Sequence, residues 1–327
     1  MTLAKLSTTT SQLTLANHWD HIKARWGVKR NGHRVAPGLY ALGTPDADSA
    51  VLVTANYSLS FDALRKELPG QDVYILVLDT RGVNVWCAAG KGTFGTAEVV
   101  KRVQEAGLRD VVNKRILILP QLGAPGVAAH EVKKQTSFKV EYGPVRAADL
   151  PAYLKTRTAT PEMRRVTFPL LDRMTLIPLE LVHTLLPMLG AAVALYLLGG
   201  WLAALAAIAA VLSGVALFPI LLPWLPGRDF SLKGFILGGL TALPFAAASL
   251  SAFPDQPLWL RAGLALAFLL AMPPVTAFLA LNFTGSSTYT SKTGVEREMK
   301  TYIRMMAITF GLGLILTIGL NIYRLLS

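Results

Sequence analysis

The second half of the chain carries five apolar runs: Leu176–Leu198, Trp201–Leu222, Leu232–Phe253, Leu258–Leu281 and Ile303–Tyr323. Each matches the roughly 20 residues that a helix needs to cross a bilayer. Turn residues divide them at Gly199-Gly200, Pro226-Gly227-Arg228-Asp229 and Pro254-Asp255-Gln256-Pro257, and a longer polar loop, Asn282–Tyr302, precedes the fifth. Charge follows the same division. Residues 1–170 hold 23 Lys and Arg against 14 Asp and Glu, whereas residues 171–327 hold 9 against 6. The expected organisation is a soluble domain, residues 1–165, followed by an all-α transmembrane domain of about five helices, residues 166–327.

Basic residues at the ends of the runs set the expected orientation. Arg164, Arg165, Arg173, Arg228, Lys233, Lys292, Arg297, Lys300 and Arg304 gather on one side, and only Arg261 and Arg324 on the other. The soluble domain is therefore expected in the cytoplasm, the spans in the inner membrane and the C-terminus outside. The first 20 residues contain no continuous apolar stretch, so no cleaved signal peptide is expected. Glu180 and His183 lie three apart on one helix face near the cytoplasmic end. An interfacial structural pair and an ion path both remain open for them. The other spans are mostly Ala, Leu and Gly, which suits an anchor and docking surface. The net charge of +12 is not read as a nucleic-acid signal. Its basic residues are scattered, no recognised nucleic-acid motif organises them, and an anionic inner leaflet is the commoner partner of such a face.

The first half alternates strand and helix patterns. Strands are expected at Val51–Tyr57, Val73–Leu78, Ile116–Leu119 and Phe138–Glu141. Helices are expected at Phe61–Leu68, Thr96–Ala106, Val127–Gln135 and Ala147–Lys155. Near-continuous apolar strands alternating with helices predict an α/β domain with a parallel sheet covered on both faces. Ligands of such sheets sit beyond the carboxyl ends of the strands. The loops there hold Thr54, Asn56 and Tyr57, then Asp79–Phe94, then Gln121 to Gly123.

The longest of these loops contains the only cysteine of the chain, in Gly82-Val-Asn-Val-Trp-Cys-Ala-Ala-Gly-Lys-Gly-Thr-Phe94. A phosphate loop does not fit, because Val85 stands where the first glycine belongs and Gly92 where Ser or Thr belongs. A zinc site lacks a second cysteine. A catalytic pair with His130 and a buried structural thiol packed by Trp86 both remain open. Asn84 is a good N-cap for a stub of about two turns that Gly90 is expected to stop. Cys87 falls in its first turn, where the positive helix end favours thiolate. The small residues Ala88, Ala89, Gly90 and Gly92 leave room for something large and flat.

Asn84-Val85-Trp86-Cys87-Ala88-Ala89-Gly90-Lys91 closely resembles the cap-helix motif of the corrinoid proteins of microbial mercury methylation, the HgcA family, whose signature reads Asn-Val/Ile-Trp-Cys-Ala/Ser-Ala-Gly-Lys. The resemblance extends over the whole chain, including the spans and the loop Asn282–Met299. Residues Gly38 to Leu154 also resemble the corrinoid domain of the corrinoid iron–sulfur protein large subunit. The resemblance implies a Rossmann-like corrinoid-binding domain and a corrinoid-dependent methyltransferase. Its reaction would move a methyl group from cobalt(III) to mercury(II), forming methylmercury. Cys87 would be the lower axial cobalt ligand of a cobalamin-type corrinoid bound base-off, with Asn84 to Lys91, Thr54, Asn56, Tyr57, Gln121 and Gly123 around it. Trp86 would pack in the core or stack on the ring, and Lys91 would bond corrinoid side chains or complement the helix end. One cysteine cannot hold an iron–sulfur cluster. The implied partners are a small ferredoxin with two 4Fe–4S clusters, as electron donor and possible mercury donor, and a methyltetrahydrofolate-linked methyl donor. A membrane-tethered methyl carrier of one-carbon metabolism, in the acetyl-CoA pathway, is the alternative. A transporter with a redox-sensing domain is a third class.

Overall fold

The computed structural model describes every residue except 1–5, 30, 31, 253, 288 and 327. The chain divides into two compact units after Val166.

The first unit is built on a six-stranded sheet: β1 (Ser7–Thr9), β2 (Gly38–Leu42), β3 (Ala50–Ala55), β4 (Val73–Leu78), β5 (Ile116–Leu119) and β6 (Lys139–Tyr142). The spatial order is β1-β2-β4-β3-β5-β6. The run β4-β3-β5-β6 is parallel, as expected. The sheet as a whole is mixed, because β2 joins β4 antiparallel and β1 lies parallel to β2. All six residues of β4 are buried, so it reads as a continuous apolar run covered on both faces.

The helices packed with this sheet are α1 (Leu15–Arg25), α2 (Ser58–Arg65), α3 (Val85–Lys91), α4 (Thr96–Glu105), α5 (Leu108–Val111), α6 (Ala129–Thr136) and α7 (Leu150–Thr156). Side-chain parity sorts them onto two layers. Val51, Val53 and Ala55 of β3 face a core shared with Ala88 and Ala89 of α3, Val99 and Val103 of α4 and Val132 of α6. Leu52 faces the opposite core, with Phe61 and Leu64 of α2 and Leu150 and Tyr153 of α7. The expected helix Ala147–Lys155 begins as a 3-10 turn, Ala147–Asp149, that passes into α7.

The second unit contains five helices long and apolar enough to cross a membrane, over Leu170–Gly199, Trp201–Leu221, Phe230–Ser251, Leu258–Ser286 and Lys292–Arg324. Their principal helices are α8 (Ile177–Gly199), α9 (Trp201–Leu221, with a π-turn at Ser213–Leu217), α10 (Phe230–Ser251), α11 (Leu258–Asn282) and α12 (Lys292–Leu326). The expected end of the third run at Phe253 lies outside the described residues, as does Thr288 of the polar loop. Small residues let α10 and α11 touch: a Cβ on Gly234 would come within 2.6 Å of Ala277 Cα, and one on Gly238 within 2.7 Å of Pro273 Cα.

The loop expected over Asn282–Tyr302 is half helix. α12 starts at Lys292 and runs for 35 residues, about 52 Å at 1.5 Å per residue. That exceeds a hydrocarbon core of about 30 Å, so its polar first turns need not be apolar. They are held by polar contacts instead. The buried Glu298 carboxylate accepts from the Ser231 N–H and hydroxyl, both at 3.0 Å. Asp229 accepts from Arg297 at 3.2 Å and from the Tyr302 hydroxyl at 3.1 Å.

Candidate functional site

The chain crosses from β3 to β4 on one side, and the next crossover, from β4, returns past β3 to β5 on its other side. The switch point of the sheet is therefore the gap between the carboxyl ends of β3 and β5. Two segments converge there. One is α3, which follows β4, and the other is the 3-10 turn Gln121–Gly126, which follows β5; the two pack together.

The approach to α3 is a hydrogen-bonded loop. Asn56, at the end of β3 and 2% exposed, accepts from the N–H groups of Thr80 at 3.1 Å and Gly82 at 3.0 Å. Its amide donates to Asp79 at 3.0 Å. The Asp79 N–H donates to Glu98 of α4 at 2.8 Å, and the Thr80 hydroxyl donates to the Val83 carbonyl at 2.6 Å. Arg81 and Gly82 both have positive φ, 59° and 74°, as the centre of a type I′ turn closed by Val83 N–H to Thr80 O.

α3 itself begins where expected. Asn84 Oδ1 accepts from the Cys87 N–H at 2.9 Å, which is the N-cap bond. Its end differs from expectation. Gly90 lies inside the helix, and Gly92 stops it with φ 79°. Lys91 has helical geometry, so the left-handed residue that terminates the helix is the second of the two glycines. Ala88, Ala89 and Phe94 point inward and are buried. Gly126 makes that fit possible: a Cβ there would lie 2.2 Å from the Phe94 carbonyl oxygen and 3.0 Å from Ala89 Cα.

The other side of α3 is open. Cys87 and Trp86 are half-buried, and Gly90 and Lys91 are exposed. Trp86 is not among the residues that form the core beneath the helix, whereas Val83 and Val85 pack against that core. Outside α3, no atom stands within 4 Å of where a Cβ on Gly90 would be. The result is a short helix whose open side carries Trp86, Gly90 and Lys91 beside a thiol whose backbone is fixed by Asn84, while the expected contacts Ala88 and Ala89 face the core. Among the described residues no three His, Cys, Asp or Glu side chains gather as a metal-binding group.

The remaining expected contacts are dispersed. Thr54 shares the parity of Leu52 and lies on the sheet face away from α3. Asn56 spends both ends of its amide inside the loop. Tyr57 precedes α2 and bridges Arg34. The Gln121 side chain accepts from Arg164 at 2.8 Å, and buried Gly123 lies against the Phe94 ring. The residues that sequence reasoning missed are Asp79, Thr80 and Glu98, which shape the loop from outside the cysteine motif. Exposed His130 pairs with Glu131 at 3.6 Å. A cleft of about 470 Å³ opens at the opposite end of the sheet, lined by Asp48, Asp72, Lys114 and Arg157 among others, far from the switch point.

The comparison with known proteins falls on this unit. Residues 27–154 match the family described as CO dehydrogenase/acetyl-CoA synthase delta subunit. The first unit is similar to an acetyl-CoA enzyme subunit. The gamma subunit of the acetyl-CoA decarbonylase/synthase complex of Methanothermobacter thermautotrophicus is 34% identical over 127 residues, 38% of this chain and 27% of that one. The Methanopyrus kandleri subunit of the same description is 35% identical over 129 residues, with the same two shares. The Methanocaldococcus jannaschii subunit is 37% identical over 97 residues, 29% and 20% of the two chains. The matched segments thus span about a quarter of these relatives or less, and the family match stops short of the five apolar helices.

Proposed function

We propose that the open face of α3 binds a corrinoid, with Cys87 as the protein's ligand to its cobalt, and that the chain is a membrane-bound corrinoid-dependent methyltransferase acting on mercury(II). The observation that carries this reading is the pairing of a half-buried thiol with a bare helix surface at the sheet's switch point. A large planar cofactor needs such a surface, and a cobalt already held by its macrocycle needs only one soft donor from the protein. When bound, the corrinoid supplies a metal that takes up and releases a methyl group.

Each residue of the motif then has a task. Asn84 fixes the Cys87 backbone and so aims the sulfur. Cys87 would hold the metal through its sulfur and donate charge to it. Trp86 lies beside the thiol and limits water there, and Gly90 keeps the surface flat. Lys91 offers a cation to polar groups at the cofactor's edge. Asn56, Asp79 and Glu98 act through the loop as positioning residues. The single cysteine cannot serve an iron–sulfur cluster, so reducing equivalents come from a separate low-potential donor, for which a dicluster ferredoxin is suited. A folate-linked donor supplies the methyl group. The basic flanks of the apolar helices support a cytoplasmic first unit.

The second reading is a membrane-tethered methyl carrier of one-carbon metabolism, and the acetyl-CoA complex subunits matched by the first unit favour it. Cys87→Thr separates the two. Thr keeps the size and is a poor cobalt donor. In the mercury reading, folded Cys87→Thr retains corrinoid, loses the thiolate character of the cobalt spectrum and stops forming methylmercury. In the carrier reading it still accepts and passes methyl groups to a non-metal acceptor. Near-normal mercury methylation by folded Cys87→Thr refutes the ligand role.

A further inference from the structure

Helix α1 is mounted inside out. Its inward side is polar: Asn17, Asp20, His21 and the small Ala24. His21 Nε2 lies 2.8 Å from buried Asp62, Asn17 accepts from Arg65 at 3.0 Å, and Asp20 holds Ser58 at 2.6 Å and His33 at 2.7 Å. Its outward side is apolar. Leu15, Trp19, Ile22 and Trp26 follow one another at helical spacing and are 88%, 58%, 45% and 48% exposed. A surface helix ordinarily shows the reverse arrangement. Two exposed indoles and two aliphatic side chains in one stripe form the kind of patch that marks an interaction surface.

The flanks of the stripe are basic. Lys23, Arg25 and Lys29 are exposed, and the Lys23 ammonium lies 5.8 Å over the Trp19 ring. The only acid of the helix, Asp20, is turned toward His33 and Ser58. We infer that α1 is an interfacial helix that docks on the surface of an anionic bilayer. Three observations select lipid over a protein partner. Tryptophan prefers the depth of the lipid headgroups. A basic border with no outward acid complements an anionic leaflet. The same chain carries five membrane-length helices, so the helix meets a bilayer at high effective concentration.

The test uses the full chain, labelled with 5-fluorotryptophan and placed in lipid nanodiscs. Trp19→Phe and Trp26→Phe assign the two fluorine resonances. In discs rich in phosphatidylglycerol, a gadolinium chelate carried on lipid headgroups broadens both resonances. Lys23→Gln combined with Arg25→Gln lowers the docked-to-undocked ratio by roughly 30-fold, the equivalent of about 1 kcal/mol for each basic group near an anionic surface. Both side chains are exposed, so the variant keeps the fold. Resonances open to a soluble chelate and untouched by the lipid-borne one overturn the inference. Shielding from both chelates overturns it in favour of a protein covering. Undiminished broadening in the charge variant overturns it too, because the indoles would then lie near lipid whether or not α1 docks electrostatically.

Discussion

Asn56→Ala removes one side chain and should release the whole approach to α3. In the native loop the Asn56 oxygen accepts from two backbone N–H groups, and its nitrogen bonds Asp79. Alanine leaves the Gly82 N–H without its acceptor and the Thr80 N–H with only its second one, the Leu78 carbonyl at 3.1 Å. A buried donor stripped of its partner costs about 1–3 kcal/mol. Thr80 is fully buried but bears only part of that cost, because its N–H keeps the Leu78 carbonyl, and half-buried Gly82 recovers part of it from water. The two partial costs together give an expected local destabilisation of about 1–3 kcal/mol. At 1.4 kcal/mol per tenfold, amide exchange at Thr80 and Gly82 accelerates at least about fivefold, and the Cys87 amide follows because Asn84 lies at the end of the same loop. Hydrogen exchange measured by mass spectrometry on the full chain reads this directly. Asn56→Asp is the control: it keeps the acceptor and loses the donor, setting a carboxylate against Asp79. Its loop should be looser than wild type, because the new carboxylate faces that of Asp79. Exchange at residues 80 and 82 within twofold of wild type in Asn56→Ala would refute the assignment of Asn56 as the organiser of the loop.

Gly126→Ala should push α3 outward, since its new Cβ meets backbone atoms that cannot rotate away; overpacking of this kind costs about 1–3 kcal/mol, read as a lower unfolding midpoint and faster labelling of Cys87 by a thiol reagent. Burial would raise the Asp20 carboxyl, but its bonds with Ser58 and His33 outweigh that and hold it below the usual carboxylate value of 3.8. The stabilisation is therefore present above pH 3.8 and lost as pH falls through the lower folded value, so α1 should loosen only in acid, with Asp20→Asn loosening it already near neutrality, both followed by the Trp19 fluorine signal. A reporter active only outside the cytoplasm should be active when inserted at Asp255 and silent at Thr160; the opposite pattern would invert the proposed orientation.

Much of the sheet was legible because its signals are local. The run Val73–Leu78 has no polar residue to mark a face, which is what a strand covered on both sides requires. Asn84 announced α3 through its own chemistry. The stop was less legible, since either Gly90 or Gly92 could take the left-handed position, and the packing of Phe94 behind the helix selects the later one. Strand β2 hides because its antiparallel partner is 35 residues away in register, Gly38 against Val77 at one end and Leu42 against Val73 at the other, with no short turn to announce it. Thr54 was placed by its nearness to a loop, whereas strand parity decides its face. The start of α12 is hidden for another reason: its first turns are held by Glu298, Arg297 and Tyr302 through polar bonds, so no apolar period is needed. Asn56 has no motif at all; its role exists only once β3 and the loop after β4 lie side by side.

The Glu298–Ser231 bond joins groups 67 residues apart. During synthesis, helix α10 enters the bilayer well before α12 is made. Until then, the N–H of Ser231 and the carboxylate of Asp229 are finished only by water at the rim. The turn between α9 and α10 therefore acquires its final bonds from an element translated later. On this arrangement the start of α10 is completed only when α12 packs against it, which makes α12 a latch on the bundle. Quality control by membrane proteases would see the four-helix intermediate with this rim undone. A chain stalled before Lys292 would be a degradation substrate although each of its completed helices is apolar enough to stay in the membrane.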